Sequence, residues 1–350
     1  MTCKPALAVV GATGAVGAVM LQILSQHADV WGEIRLAASP RSAGRKLAVR
    51  GEECEVLELG ESIFDGIDVA IFLVPGEVSE RWAPVAVAKG AVVVDASPAF
   101  RADPDVPLVV PEVNPHAVRV RPRGIVASPH DTTLAMLPAV GALHAEFGLQ
   151  ELVVSSYQAV SGAGREAVAA LRAQLSLVAG TELGVGPGDV RRAVGDDLGP
   201  FAAPLALNVM PWAGTVADDG WSSEELGLRS ETRKILGLPT LKVSATCVRV
   251  PVLTAHSLSV HASFEKEITV ERAHEVLATS PGVVLYDNPE AGDFPTPADV
   301  VGTDPTWVGR VRRSPDDACG LELFVCGDNL RKGAALNSAQ IAEAVAAEYT

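Results

Sequence analysis

Val9-Val10-Gly11-Ala12-Thr13-Gly14-Ala15-Val16-Gly17 is the stretch that decides the fold. It continues the apolar run Ala6-Leu7-Ala8, which reads as a strand, and its glycines then fall at three-residue spacing. Each glycine has a physical use. One makes the tight bend, one lets the backbone approach a pyrophosphate, and one lets the following helix pack closely on the strand. The apolar spacing from Ala15 to Gln26 is helical, and a second strand at 34–37 completes a βαβ unit. The uncharged run 5–24 behind Lys4 has the outline of a signal peptide, but the glycines interrupt it. No other stretch approaches a spanning length, so no membrane role is expected.

Beyond the second strand lies Ala38-Ser39-Pro40-Arg41-Ser42-Ala43-Gly44-Arg45. It has no acidic residue to hold a ribose 2′-hydroxyl, whereas Ser39, Arg41 and Ser42 suit a 2′-phosphate. The cofactor expected is therefore NADP, with Gly11, Thr13, Gly14, Ala15 and Val16 at the pyrophosphate. A solvated basic turn is the alternative. Strands at 69–74, 91–95 and 124–127, with a helix carrying Trp82, Val85 and Val87, imply a parallel sheet. Pro107-Leu108-Val109-Val110-Pro111-Glu112-Val113-Asn114-Pro115 reads as one more strand, ending in turn residues.

From about residue 151 the texture changes. A strand at 152–160 is followed by the turn Ser161-Gly162-Ala163-Gly164, a helix at 165–178 and a glycine-rich acidic loop at 180–200. Then come a helix at 224–236, strands at 241–252 and 257–264, a helix at 270–278, strands at 307–312 and 320–325, and an amphipathic helix at 334–348. The expected fold class is α/β, with a Rossmann-type NADP-binding domain at 1–131 plus 330–350. A second, α+β catalytic and dimerisation domain is expected at 132–329.

The composition, 48% hydrophobic and 20% charged over 350 residues, supports about two globular domains. A net charge of -15 and no basic stripe exclude a phosphate-backbone binder, so no nucleic-acid partner is expected. Cys3, Cys54, Cys247, Cys319 and Cys326 form no CxxC pair, so no metal site is expected, and their odd number suits the cytoplasm.

Ala127-Ser128-Pro129-His130-Asp131-Thr132-Thr133 precedes the helically spaced apolar residues Leu134, Met136, Leu137 and Val140. Asp131 is thus expected at a helix N-terminus and at the carboxyl end of a parallel strand, where α/β folds bind ligands. A simple capping carboxylate is the plain reading. His130 beside it makes an acid/base dyad the other.

Several separated segments together resemble aspartate-semialdehyde dehydrogenase. They are the GATGAVG turn, Ala99-Phe100-Arg101, Val110-Pro111-Glu112-Val113-Asn114-Pro115, Tyr157-Gln158-Ala159-Val160-Ser161-Gly162-Ala163-Gly164 and Glu231-Thr232-Arg233-Lys234-Ile235-Leu236. Ser244-Ala245-Thr246-Cys247-Val248-Arg249-Val250-Pro251-Val252, His256-Ser257 and Gly327-Asp328-Asn329-Leu330-Arg331-Lys332-Gly333-Ala334-Ala335 complete the set. The resemblance implies a homodimer of amino-acid biosynthesis that reduces aspartyl-4-phosphate to the semialdehyde with NADPH through a cysteine thioester. Carried over by motif, His256 is the acid/base residue and Gln158 orients the acyl group. Arg249 grips the substrate carboxylate, Arg101 contacts phosphate and Glu225 the substrate amine, while Gly162 and Asn329 lie on the cofactor side.

The chain departs from that pattern where chemistry is decided. His130-Asp131-Thr132 stands for Asn-Cys-Thr, Ser128 for Asn, and Gly227 for a phosphate-binding lysine. Val74-Pro75-Gly76-Glu77 replaces a small Gly/Ser-rich segment, and Glu77 repels a pyrophosphate if it faces one. Cys247 and Cys326 read as small buried hydrophobes rather than substitute nucleophiles. Three readings follow. One is an NADP-dependent oxidoreductase of an aspartate-like carbonyl compound, using direct hydride transfer with Asp131 and His256 moving protons. The others are a hydrolase or lyase with Asp131 as general base, and a non-catalytic regulatory paralogue.

Overall fold

The computed structural model describes residues 4–27 and 30–349; Cys3 lies outside the described residues. In chain order the first elements are β1 (Leu7–Val10), α1 (Ala15–Gln26), β2 (Ile34–Ala38), β3 (Lys46–Val49), β4 (Glu52–Glu58) and β5 (Val69–Phe72). Next come α2 (Gly76–Ala88), β6 (Val92–Asp95), β7 (Ile125–Ala127), α3 (Asp131–Phe147), β8 (Leu149–Gln158), α4 (Gly164–Val178) and α5 (Asp189–Val194). The chain closes with α6 (Ser223–Leu236), β9 (Lys242–Arg249), β10 (His256–Phe264), α7 (Val270–Thr279), β11 (Val283–Leu285), α8 (Pro297–Val300), β12 (Thr306–Arg313), β13 (Gly320–Gly327) and α9 (Asn337–Ala346). None of the described helices is long and apolar enough to cross a membrane.

The elements divide into two compact units. Unit 1 holds the described residues up to Leu137, Ser230–Pro239 and those from Arg331 onward. Its sheet has the order β3-β4-β2-β1-β5-β6-β7, parallel except for the β3–β4 hairpin. Leu7, Val9, Met20, Ile23, Leu36, Ile71, Ile341 and Val345 form its buried core, so both faces of the central strands are covered, as an apolar parallel sheet requires.

Unit 2 holds Pro138–Arg229 and Thr240–Leu330. Its mixed sheet runs β11-β12-β13-β10-β8-β9, with β8 parallel to β9 and antiparallel to β10. Alternating burial along β8 and β10 gives this sheet one covered face and one partly exposed face.

Four features differ from the sequence reading. Residues 107–115 are not a strand: only Leu108 bridges Ala127, because Pro107, Pro111 and Pro115 have no N–H for a ladder. The β3–β4 hairpin was not foreseen. Its two-residue turn, Arg50-Gly51, has φ of 55° and 80°, which matches the twist of the flanking strands. The closing helix begins at Asn337, after a wide π-type turn at Arg331–Leu336. Finally, Ser230–Pro239 joins unit 1, where Lys234 Nζ donates to the carbonyls of Arg101, Asp103 and Val106 at 2.9, 2.6 and 2.8 Å.

Candidate active site

In unit 1 the parallel strands deliver the functional loops. Ser128 N–H extends the β6–β7 ladder to Asp95 O at 2.8 Å, and three residues later α3 begins at Asp131. The carboxylate Oδ1 of Asp131 accepts the Thr132 N–H at 2.9 Å and lies 2.8 Å from His130 Nδ1. Asp131 thus satisfies one of the free first-turn N–H groups of α3. Glu231 lies beside the same helix end: its Oε2 accepts His130 N–H at 2.9 Å and Thr133 Oγ1 at 2.6 Å. A buried carboxylate there complements the positive end of the α3 dipole.

Arg101 is held from several sides. Its Nε donates to Ser128 O at 3.0 Å, its Nη2 to Ala96 O at 2.7 Å, and its Nη1 lies 3.5 Å from Glu231 Oε1. Asp95, fully buried nearby, accepts Ser79 Oγ at 2.6 Å and Ser97 Oγ at 2.8 Å. Burial pushes its carboxyl above the usual range, against those hydrogen bonds and the Arg101 charge. Behind the Asp131 loop, Ser128 Oγ accepts Asn337 Nδ2 at 2.9 Å. Asn337 Oδ1 in turn accepts Lys332 Nζ at 3.3 Å, and Lys332 is paired with Glu112 at 2.6 and 2.8 Å.

The phosphate turn has the predicted form. Gly11 has φ of 92°, and a Cβ there would meet Leu73 O at 2.2 Å; one at Gly17 would meet Gly11 O at 2.4 Å. Gly14 opens α1 with no side-chain cap, so the first-turn N–H groups of Ala15 and Val16 are not closed by a capping side chain. Thr13 Oγ1 donates to Ser42 Oγ at 3.2 Å, which ties this turn to the Ser39, Arg41 and Ser42 segment after β2. That donor set suits a dinucleotide carrying a 2′-phosphate. Glu77 is exposed in the first turn of α2, where a negative charge is locally favourable.

Unit 2 gathers Gln158, Arg249 and His256. Gln158 and Arg249 are register partners at the ends of β8 and β9, and His256 is the first residue of β10. The main chain of Ala159 joins them: its N–H donates to His256 Nδ1 at 3.1 Å and its carbonyl accepts Arg249 Nη1 at 2.7 Å. Gln158 Nε2 donates to Ser156 Oγ at 3.2 Å. Arg249 is buried, and its Nε has no hydrogen-bond partner among the described residues.

Glu225, expected at the substrate amine, is engaged by the backbone. Its Oε2 accepts Ser222 N–H at 2.9 Å and its Oε1 accepts Cys247 N–H at 3.0 Å, a capping arrangement at the start of α6. The neighbouring Glu224 is the acid facing Arg249, at 3.8 Å. Gly162 lies exposed in the turn before α4, and Asn329 is buried, its amide holding Ser161 Oγ and Ala255 N–H. Cys247 and Cys326 are buried, and desolvation pushes their thiols up to about 12 and about 11. Neither supplies a thiolate near neutrality. Among the described residues no cluster of three or more His, Cys, Asp or Glu is arranged to hold a metal ion.

Glu231, Glu224, Asn337 and the Lys332–Glu112 pair were not singled out from sequence as site residues. Glu231 and Lys332 do lie within segments that carried the resemblance, but no local pattern gives them a role. Only the fold brings Glu231 to the α3 terminus, 101 positions away in sequence.

Residues 6–120 match the family model described as semialdehyde dehydrogenase, NAD binding domain, and residues 140–332 match semialdehyde dehydrogenase, dimerisation domain. The chain is 49% identical over 345 residues to aspartate-semialdehyde dehydrogenase of Corynebacterium melassecola, covering 96% of this chain and 98% of that one. It is 42% identical over 340 residues to the Bacillus subtilis enzyme of the same name, covering 97% and 96%. Among solved structures, that of Vibrio cholerae aspartate semialdehyde dehydrogenase II complexed with ASA superposes with a TM-score of 0.90 at 36% identity, covering 99% of each chain. These matches span nearly the whole sequence, and the chain belongs to the aspartate-semialdehyde dehydrogenase family.

Proposed function

We propose that this protein is an NADP-dependent oxidoreductase that acts on an unphosphorylated carbonyl derivative of an aspartate-like substrate, with no acyl-enzyme intermediate. The observation that carries the reading is Asp131 at the first residue of α3, bonded to Thr132 N–H and adjacent to the His130 imidazole. A carboxylate attacking an acyl phosphate gives a mixed anhydride, which offers a hydride no easier target than the substrate. A free aldehyde or imine needs no such step.

The remaining roles follow the charges. Arg249 takes the substrate carboxylate through its unpartnered Nε and the guanidinium edge beside it. Glu224, rather than Glu225, takes the substrate amine, because it faces Arg249 while Glu225 closes the α6 end. Gln158 orients the carbonyl group, and His256 meets its oxygen. Asp131 and His130 form the proton-handling pair. The absence of a phosphate subsite is supported by Gly227 in place of a cation and by Arg101, whose guanidinium is occupied by Ser128, Ala96 and Glu231.

NADPH, when bound, supplies the hydride. Gly11, Thr13, Gly14, Ala15 and Val16 would hold its pyrophosphate, Ser39, Arg41 and Ser42 its 2′-phosphate, and Gly162 is a further cofactor-binding candidate. Asn329 acts by fixing the Ser161 turn. The dimerisation-domain match over 140–332 supports a homodimer.

The test is a titration followed by a rate. Saturable NADPH binding, and NADPH consumption with aspartate semialdehyde or a related amino-acid aldehyde at a rate unchanged by inorganic phosphate, is the expected result. Absence of NADPH binding, or turnover that requires phosphate, overturns the reading. Release of a hydrolysis or elimination product without cofactor would instead support Asp131 as a general base.

A further inference from the structure

We infer that His256 works as a neutral hydrogen-bond donor through Nε2–H, not as a base, and that the main chain of Ala159 holds it in that form. This rests on the carbonyl-reduction reading above. An amide N–H donates to a lone pair, so the 3.1 Å bond from Ala159 N to His256 Nδ1 requires that Nδ1 carry no proton. The neutral ring then bears its proton on Nε2. Acting as a base needs the opposite tautomer, which sets Nδ1–H against Ala159 N–H in a fully buried position.

The surrounding backbone makes this arrangement rigid. Ala159 sits at φ -65° and ψ 152° at the end of β8, and its carbonyl is tied to Arg249 Nη1 at 2.7 Å. On the other side, Ala255 has φ of 77°, a strained conformation for a residue with a side chain. Its N–H is held by Asn329 Oδ1 at 3.0 Å. The main chain of one residue, Ala159, therefore sets both the tautomer of His256 and the aim of Arg249, while a strained residue fixes where β10 begins.

A pinned Nε2–H has a definite use. As the carbonyl carbon takes a hydride, the π pair moves to oxygen and the growing negative charge meets the Nε2–H donor. The C–H bond forms, the carbonyl π bond breaks, and the proton that completes the hydroxyl comes from solvent by way of the Asp131–His130 pair, so the His256 imidazole stays neutral throughout. Removing a single preorganised donor of this kind lowers kcat by about 10²–10³-fold. Ala159 and Asn329 are positioning residues in this scheme, since they act through His256.

Two measurements decide it. In protein labelled with ¹⁵N-histidine, with His256→Gln used to assign the resonance, the expected spectrum has an acceptor-type Nδ1 and a protonated Nε2. An Nδ1–H tautomer or a doubly protonated ring overturns the inference whether or not the protein turns over. In the rate arm, His256→Gln places an amide N–H near the Nε2 position, whereas His256→Asn reaches only the Nδ1 position. The expected kcat for His256→Gln exceeds that for His256→Asn by about ten-fold or more, with KM little changed. Equal loss in both variants is the mark of a base and refutes the donor role. If no carbonyl substrate is reduced at all, the oxidoreductase reading fails, and the tautomer is still decided by the spectrum.

Discussion

Replacing Lys332 with Met should destabilise unit 1 more than any surface change, and the structure sets the size. Lys332 is 1% exposed. Its Nζ donates to Glu112 at 2.6 and 2.8 Å, to Gln340 Oε1 at 3.0 Å and to Asn337 Oδ1 at 3.3 Å. Lys332→Met keeps most of the side-chain volume but leaves Glu112, itself nearly buried, as an uncompensated charge. Breaking a buried pair from one side costs about 3–5 kcal/mol, which lowers the first thermal transition by roughly 10 °C. Removing both charges in Lys332→Met/Glu112→Leu is expected to recover more than half of that loss. The residual penalty comes from the Asn337 and Gln340 acceptors that lose their donor. Differential scanning calorimetry of the four-member cycle reads the coupling directly. A single-variant loss below about 1 kcal/mol, or a double variant no better than the single, would refute the argument that this pair is a desolvated charge unit.

Two further outcomes follow. Asp95→Asn should flatten the fall in stability with rising pH: burial raises the folded-state pKa of Asp95 above its ordinary 3.8. The native state therefore holds a proton that the unfolded chain releases, and stability declines as pH rises through that window. Urea titrations across the acidic range check this, and an unchanged slope contradicts it. Asp131→Cys alone should give no phosphate-dependent oxidation of aspartate semialdehyde, whereas Asp131→Cys/Gly227→Lys should. A Cβ at Gly227 meets nothing within 4 Å, so the added lysine side chain is not obstructed at its root. Phosphate-dependent turnover by the single variant would show that Arg101 suffices for phosphate.

The parts of this molecule that the sequence reveals are those in which a local pattern is itself the cause. The glycine turn at 11–17 is legible because each glycine answers a close backbone approach, and α1 matches its predicted limits, Ala15–Gln26. The Arg50-Gly51 hairpin escaped because its strands carry Glu52, Glu53, Glu55 and Glu58 on a half-exposed edge, which hides the alternation of a buried strand. At the site, Gln158, Arg249 and His256 came from motifs, and the structure gathers them around the Ala159 peptide. Glu225, expected at the substrate amine, accepts the Ser222 and Cys247 N–H groups, and its neighbour Glu224 lies 3.8 Å from Arg249. Spacing alone does not show which of two adjacent acids, Glu224 or Glu225, turns toward Arg249 and which closes the helix. Glu231 illustrates the same limit at long range: its role depends on α6 residues joining unit 1, a tertiary fact without a local signature.

The most direct test of the central claim is isotope transfer. With NADPH deuterated at the transferable position and aspartate semialdehyde in phosphate-free buffer, mass spectrometry of the product reads where the label goes. One deuterium on the former carbonyl carbon of the alcohol product, formed without a covalent adduct on Asp131, is the predicted result. No transfer of deuterium to that carbon, or a covalent substrate adduct on Asp131 in the intact-protein mass, would contradict it.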